Sequence, residues 1–461
     1  MKKPKSKTVI YPRAKHSVSR QNIDEDALKV IYRLRRHRFT SYLVGGAVRD
    51  LLLGRQPKDF DVSTNASPRQ IKRLFRNCFL IGRRFRLAHI NFGGNIIETS
   101  TFRGEPKQKK NSEGTLYRLT DNTFGTPEED AQRRDFTING LFYDINGFQV
   151  IDHVGGVEDI KNKVIRAIGN PEVRFQEDPV RMLRAIRFAS RLGFSIETRT
   201  WKAIVNNADE INNASAPRLL EELFRLFSYQ CSKNNFKLLY ESGVLHSFLL
   251  PIAEYIDRTG GMESVFWKYL EALDGCDRSC GEATPVIILG TIFYPLIMEA
   301  VASVEAEGGR PRIGEIVHSI IRPFALRFQM PKKIFFRLVM VFFGQARLAG
   351  TKKKFSRKRF VSQPSFAETL ALYAVHLTAM DADRETLVPW VELFDIHGCK
   401  DDSDKKRSNS PSRAKGRRRK KRRRPPRQDG KRDASNLNKY DKRKTSSKRR
   451  KRRSPRRRSS N

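Results

Sequence analysis

The sequence predicts an α+β protein, in which a small mixed β-sheet with helices is followed by helical domains and a disordered basic tail. Three observations predict this class. Helix and strand patterns alternate from Glu25 to about Gly156, the pattern beyond is almost wholly helical, and the last residues are nearly all polar. We therefore divide the chain into a basic arm (1–24), a head (25–156), a helical neck (157–255), a helical body (256–400) and a tail (401–461).

The elements of the head follow from hydrophobic periodicity and from residues that begin or end helices. Gly54 is expected to close a helix, and Ser67-Pro68 to start one, because serine caps helices and proline is favoured at their first position. In chain order we predict helix 27–36, strand 42–44, helix 47–53, strand 59–64, helix 67–75 and strands 79–81, 87–92 and 96–102.

The second part of the head contains a loop, a helix and a hairpin. Residues 105–122 are polar and rich in lysine, and predict a mobile loop. Thr126 and Glu129 have the spacing of a capping box, for a helix that carries Arg133, Arg134 and Asp135. Asn146-Gly147 between two apolar runs predicts a β-hairpin, and Gly155-Gly156 marks the end of the head.

The helices beyond the head begin and end at clear signals. Asp178-Pro179 starts one that Gly193 ends, and Ser215-Ala216-Pro217 opens another, in which Arg218 and Glu222 lie one turn apart. Pro323 is expected to end a helix at Arg322. The stripes of Phe and Leu in this part are typical of a packed core.

Arg181, Arg184 and Arg191 share a face of the helix that follows Asp178-Pro179. Such a row can be a solvated charged face. It is also suited to the phosphates of a nucleotide or of RNA, and the residues alone do not decide between these interpretations.

Most of the net charge of +41 lies in the tail, where residues 405–461 contain 29 Lys or Arg and 3 Asp or Glu. Runs of like charge repel each other, so we expect this tail to be disordered and to bind a polyanion, with RNA as the best candidate. The five scattered cysteines do not indicate a disulfide framework. The N-terminus lacks an apolar core, and we expect no membrane-spanning segment and a cytoplasmic protein.

The most informative motif is Gly45-Gly46-Ala47-Val48-Arg49-Asp50 followed by Asp59-Phe60-Asp61. On a strand, Asp59 and Asp61 would share one face and could bind a divalent cation, while Phe60 points into the core. Gly45 and Gly46 allow a close approach of the backbone to phosphates at the start of the next helix, and Arg49 can add a charged contact.

Each half of this motif is weak by itself. Acidic pairs on strands are usually solvated, and a Gly-Gly pair is usually a turn. Their conjunction on neighbouring strands and a helix favours metal-dependent phosphate chemistry.

Three segments, taken in order, resemble one family. Residues 43–61, Arg133 to Asn139 and Glu177 to Arg184 are similar to motifs of the class II tRNA nucleotidyltransferase and bacterial poly(A) polymerase family. The resemblance covers roughly residues 40 to 230. It implies a polymerase-β-type catalytic head, a neck (157–255) with nucleotide- and RNA-binding motifs and a body (256–400) that binds RNA. Residues 81–90, residues 128–134 and the basic C-terminal extension resemble the poly(A)-adding branch.

The resemblance implies roles for particular residues. Asp59 and Asp61 would hold Mg²⁺, and Asp178 and Arg181 would bind the base of the incoming nucleotide in place of a template. A third carboxylate is expected, for which Asp135 is the first candidate and Glu98, on a strand that could lie beside Asp61, the second.

The expected activity is template-independent transfer of AMP from ATP to RNA 3′ ends, with release of pyrophosphate. A tRNA CCA- or A-adding enzyme is the alternative, with the same fold and metal chemistry. A noncatalytic RNA-binding protein on this scaffold is a third possibility, against which the intact pair of aspartates argues.

Overall fold

Most of the chain before the tail is described by the computed structural model, namely residues 8–82, 87–104, 108–110, 116–118, 124–276, 283–350 and 355–398. The strands are β1 (Val9–Tyr11), β2 (Ser41–Val44), β3 (Asp61–Thr64), β4 (Cys78–Ile81), β5 (Leu87–Phe92), β6 (Asn95–Thr101), β7 (Gln108–Lys110), β8 (Leu116–Arg118), β9 (Leu141–Asp144), β10 (Gln149–Asp152), β11 (Val164–Ile165) and β12 (Ser195–Ile196).

Helices carry the rest of the fold. They are α1 (Glu25–Arg36), α2 (Gly46–Leu52), α3 (Pro68–Leu74), α4 (Pro127–Arg133), α5 (Gly156–Lys161), α6 (Pro171–Glu177), α7 (Val180–Leu192), α8 (Thr198–Asn206), α9 (Ala216–Arg225), α10 (Ser232–Glu241), α11 (Val244–Phe248), α12 (Leu250–Arg258), α13 (Phe266–Asp274), α14 (Pro285–Ala306), α15 (Ile313–Arg327), α16 (Lys332–Leu348), α17 (Arg357–Val361), α18 (Phe366–Ala379) and α19 (Val388–His397). The predicted fold class is confirmed.

The sheet of the head has the order β1-β10-β9-β2-β3-β6-β5-β4. Strands β3 and β6 are parallel, whereas the other neighbours are antiparallel, so the sheet is mixed as predicted. Val44, the last residue of β2, lies opposite Asp61, the first residue of β3. This register places the Gly45-Gly46 turn beside the acidic motif.

Both faces of the sheet are covered. Leu43 and Val62 are buried on the face that α1 covers, and belong to a core that continues through the helices to Ala379. On the other face, Val44 packs with Phe102, Ala131 of α4 and Phe142. Since the main core is continuous, the domain boundaries given above stay predictions.

The N-terminal segment is more ordered than the arm that the sequence predicts. Val9, Ile10 and Tyr11 pair with Val150–Asp152 at the edge of the sheet, and Val18 and Ile23 are buried. For residues 8–24 the expectation of a loose arm is therefore wrong. No local signal indicates this strand pairing, because the partner strand lies some 140 residues away in the chain.

Several predicted elements end at different residues. Helix α4 ends at Arg133, so Arg134 and Asp135 follow it. Helix α15 continues through Pro323 to Arg327, with Val317, Ile321 and Phe324 buried, because tertiary packing outweighs the missing hydrogen bond of one proline. Within the predicted loop 105–122, β7 and β8 pair with each other, and its other residues lie outside the described part of the chain.

One helix is long and apolar enough to cross a membrane by length and composition, although the sequence predicts no membrane-spanning segment. Among the described residues, α14 meets that test, with 22 residues and a mean hydropathy of 1.9 in its most apolar window. That window is 61% buried inside the fold, as is typical of a core helix.

The chain divides into two units after Lys400. All residues of the second unit, Asp401–Asn461, lie outside the described part. The disordered, RNA-binding tail therefore stays a prediction from composition.

Candidate active site

A cleft of about 900 Å³ brings together residues from the Gly turn, the acidic motif, the segment after α4 and helices α7 and α9. Among its lining residues are most of the predicted site residues, namely Gly46, Arg49, Asp59, Asp61, Asp135, Asp178 and Arg181. Together these residues span more than a hundred positions of the chain. The fold thus converges where the motifs predict a site.

Asp61 begins strand β3, whereas Asp59 lies two residues before it, outside any helix or strand. The prediction that both stand on a strand is therefore wrong for Asp59, although both line the cleft. Phe60 between them is buried, as expected.

The carboxylate of Asp61 is held in an acidic environment. Burial, followed by the negative charges of Glu98 and Asp59, raises the pKa of Asp61 to about 6, and Arg134 opposes this shift. A cation beside Asp61 would relieve this repulsion, so the donor set fits a divalent metal ion.

Glu98 lies on β6, the parallel neighbour of β3, with Thr99 opposite Val62. Its side chain is half exposed, and its Oε1 lies 3.4 Å from Nε2 of His89 on β5. Glu98 acts on Asp61 electrostatically, but it is not among the residues that line the cleft.

The side chain of Asp135 holds Arg184. Its Oδ2 accepts hydrogen bonds from Nε and Nη2 of Arg184 at 2.8 and 2.6 Å, and its Oδ1 accepts from the Phe136 amide and from Asn139. Burial alone would raise the pKa of Asp135, but Arg184 and the hydrogen bonds hold it well below its usual range. Asp135 is thus placed to orient a cleft arginine.

The Gly turn requires glycine at its first position. Gly45 has a φ of +71°, and a Cβ there would lie 2.7 Å from Nη1 of Arg134. The Gly45 amide donates to the carbonyl of Leu141, whereas Gly46 opens helix α2 at the edge of the cleft. The amide groups left for a phosphate are therefore those at the start of α2.

Arg49 is buried and held on two sides. It donates to Oδ1 of Asp50 and, through Nη1, to Oδ1 of Asn139 at 2.6 Å. Oδ2 of the same Asp50 accepts from Nη2 of Arg191 at 2.9 Å. Asp50 therefore fixes two arginines that line the cleft, one from the head and one from α7.

Asp178 and Arg181 are neighbours in the cleft, but their closest charged atoms are 4.0 Å apart. Both oxygens of Asp178 accept from Arg218 of α9, each at 2.9 Å. Arg218 thus pairs with Asp178, not with Glu222 one turn away. Glu222 binds three other guanidinium groups, those of Arg184, Arg187 and Arg225.

Among the cleft residues that were not identified from the sequence as part of the site are Arg134, Arg218 and Tyr229. Arg134 stands in the Arg-Arg-Asp motif, so its position there could have indicated it. Tyr229 has a φ of +67° and carries the guanidinium of Arg191 at 4.1 Å from its ring centre. No local pattern predicts the contact of Tyr229 with Arg191 or that of Arg218 with Asp178.

Two family descriptions match this chain. Residues 41–166 match "Poly A polymerase head domain", and residues 193–256 match "Probable RNA and SrmB- binding site of polymerase A". Poly(A) polymerase I of Escherichia coli O6:H1 is 38% identical over 399 residues, which are 84% of this chain and 86% of that protein. The chain belongs to the poly(A) polymerase I family.

Poly(A) polymerase I of Salmonella typhimurium is 44% identical over 308 residues, 65% of this chain and 66% of that protein. A solved CCA-adding enzyme of Bacillus stearothermophilus, in complex with CTP, has a similar structure, with a TM-score of 0.57, 26% identity and 81% of each chain covered. The greater similarity to poly(A) polymerases makes this protein a nucleotidyltransferase that adds AMP to RNA 3′ ends. The CCA-adding activity is the less favoured alternative.

Proposed function

We propose that AMP transfer takes place in the cleft, where a 3′-hydroxyl of RNA attacks the α-phosphorus of ATP and the bond to pyrophosphate breaks. The observation that carries this proposal is the convergence of Asp59 and Asp61 with Asp178, Arg181 and the start of α2 on one cavity. The acids suit a metal ion, and the other groups suit a nucleotide.

Asp59 and Asp61 would hold Mg²⁺. No cluster of three or more side chains suited to metal binding occurs in the described residues. Mg²⁺ is commonly held by one or two carboxylates together with substrate phosphates and water, so two aspartates are sufficient for it. When bound, the ion would lower the pKa of the attacking hydroxyl and neutralise charge on the phosphates.

The arginines of the cleft provide the positive charge that a triphosphate needs. Arg134 lies beside the Gly turn, and its positive charge opposes the rise in the pKa of Asp61. Asp50 holds Arg49, and Asp135 holds Arg184, in fixed orientations. Charges oriented before the substrate arrives stabilise the transition state without a cost of reorganisation. We therefore assign Asp135 a positioning role as well as the predicted catalytic one.

Asp178 and Arg181 form a pair that can bind adenine without a template. A carboxylate accepts from the exocyclic amino group, while a guanidinium donates to the neighbouring ring nitrogen. Each carboxylate oxygen has two lone pairs, so Asp178 can accept from the base and remain bound to Arg218. Cytosine offers the same order of donor and acceptor, so this pair does not by itself reject CTP.

The acceptor is the 3′ end of RNA, including messenger RNA, and the site of action is the cytoplasm. The match to an RNA-binding family over residues 193–256 supports an RNA acceptor. The basic composition of the tail supports additional, nonspecific binding of RNA.

Incubation of the purified full chain with an RNA unrelated to tRNA, Mg²⁺ and each of the four nucleoside triphosphates in separate reactions tests this function. Long tails with ATP alone are expected. Addition limited to C, C and A on tRNA would instead establish the CCA-adding alternative.

A further inference from the structure

Helix α16 carries a row of exposed apolar side chains on its outer face. Phe336, Met340 and Phe343 are 63%, 44% and 39% exposed. Their spacing of four and three residues places them on one side of the helix. Lys332 and Lys333 precede them on the same side, since at 100° per residue all five directions fall within an arc of about 100°. We call these five residues the α16 stripe.

The two aromatic rings of the stripe pack against neighbouring residues of α15 and α16. The ring of Phe336 makes an edge contact with Phe335 at 5.8 Å between ring centres, and Phe335 makes the same kind of contact with His318 of α15 at 5.6 Å. Phe343 packs against Gly314, where an added Cβ would lie 2.8 Å from its Cζ. Both rings thus contact neighbouring residues and remain partly exposed to solvent.

The sequence around the stripe is strongly basic. From Arg310 to Arg347 the sequence contains eight Lys or Arg and one acidic residue, Glu315. Glu315 is already paired with Arg312 at 3.0 Å. Within the described part of the chain, neither Lys332 nor Lys333 forms an ion pair.

Exposed aromatic rings beside lysines indicate which kind of partner binds the α16 stripe. A second copy of this chain or its own tail is positively charged and would be repelled, since the net charge is +41. A single strand of RNA offers phosphates for the lysines and flat bases for the rings, and exposed aromatic side chains in a basic groove are the usual means of binding it.

We propose that the α16 stripe binds a single-stranded segment of the RNA substrate, with bases stacked on Phe336 and Phe343 and phosphates near Lys332 and Lys333. This inference rests on the proposed function, because the RNA is the same acceptor. Phe336 and Phe343 are separated by roughly 10 Å along the helix, which leaves room for one base on each ring.

The test measures binding of a fluorescein-labelled oligoadenylate of about 15 nucleotides to the full chain by fluorescence anisotropy at several salt concentrations. Phe336→Ala with Phe343→Ala should weaken binding by roughly tenfold or more. Phe336→Tyr with Phe343→Tyr keeps the aromatic rings and should bind RNA as the wild type does. Phe336→Leu with Phe343→Leu (the Leu pair) keeps only apolar bulk and should bind RNA as weakly as the Ala pair. The lysine pair changed to Gln should reduce the slope of log K against log salt by about 1.4.

Val391→Ala with Ile396→Ala is the matched control, because these side chains of α19 are also exposed, at 43% and 71%. This variant should bind RNA as the wild type does. If the Phe→Ala pair binds RNA unchanged, or if the Leu pair does, the proposal is overturned, and a protein partner becomes the better occupant. AMP transfer by the wild type, measured on the same preparation, reports separately on the proposed function.

Discussion

Asp135 and Arg184 form a nearly buried ion pair, with Oδ2 of the carboxylate 2.6 Å from Nη2 of the guanidinium. Removing Asp135 leaves Arg184 with the more distant carboxylate of Glu222, at 3.5 Å, as its remaining counter-charge. We therefore expect Asp135→Ala to lower the free energy of unfolding by about 3 kcal/mol, measured by chemical denaturation, and to reduce AMP transfer because Arg184 loses its orientation.

A double-mutant cycle separates this pair from its surroundings. Arg184→Met in the Asp135→Ala background should restore part of the stability, since no unpaired charge then remains. Equal destabilisation by the single and double variants would show that Arg184 does not depend on Asp135.

Gly45 and Gly54 provide a matched pair of substitutions. Both have a positive φ, but a Cβ at Gly54 meets open space whereas one at Gly45 meets Arg134. Gly54→Ala should lose about 1 kcal/mol of stability from backbone strain. Gly45→Ala should lose more, because its φ of +71° and ψ of −130° lie outside the left-handed helical region. Gly45→Ala alone should also reduce AMP transfer, by at least tenfold in kcat/KM for ATP. Equal activity of the two variants would contradict a role for the turn in the site.

Arg218 is expected to act on nucleotide binding through Asp178. Arg218→Gln removes both hydrogen bonds to Asp178, so the KM for ATP should rise about tenfold, equivalent to ~1.4 kcal/mol, with a smaller change in kcat. The control is Arg258→Gln, which breaks a similar two-bond pair with Glu299 on the helical body. An unchanged KM for ATP in the Arg218 variant would show that Asp178 does not need this partner.

His376 predicts a pH dependence of stability. Its ring stacks on Tyr294 at 4.6 Å, its Nδ1 lies 2.7 Å from the Tyr269 hydroxyl, and burial lowers its pKa. The unfolded chain therefore binds a proton on His376 more readily than the folded chain does. The contribution of neutral His376 to stability is complete above the ordinary histidine pKa and is lost as the pH falls below it. We expect the free energy of unfolding to fall by at most about 1.4 kcal/mol per pH unit from this group.

The comparison with His376→Gln isolates that contribution, because His16 and His153, whose pKa values burial also lowers, are present in both proteins. As the pH falls from 7.5 to 5.5, the free energy of unfolding of the wild type should decrease more steeply than that of His376→Gln. Parallel curves for the two proteins would contradict the assignment.

Local signals in the sequence predicted most of the elements correctly. The helix start at Ser67-Pro68 and the capping box at Thr126 are present, and the hairpin around Asn146-Gly147 joins β9 and β10. Such features depend on neighbouring residues, whose types and spacing are visible in the chain. The motifs also predicted which residues converge on the cleft, because each contains charged groups beside turns or helix starts.

Contacts between distant residues were not predictable in this way. Arg218 reaches Asp178 across 40 positions, and β1 pairs with β10 at the other end of the head. The course of α15 through Pro323 depends on buried neighbours from other helices. These features follow from packing, for which one sequence contains no periodic or capping signal.

The assignment of the cleft as the active site depends most on Asp59 and Asp61. AMP transfer from ATP to a non-tRNA primer by Asp59→Asn with Asp61→Asn tests it most directly. These substitutions keep the size of each side chain and remove the charges that would hold Mg²⁺. We expect transfer to fall by at least about a thousandfold, while anisotropy shows RNA bound as tightly as by the wild type. Transfer at the wild-type rate would contradict the assignment of this cleft as the active site.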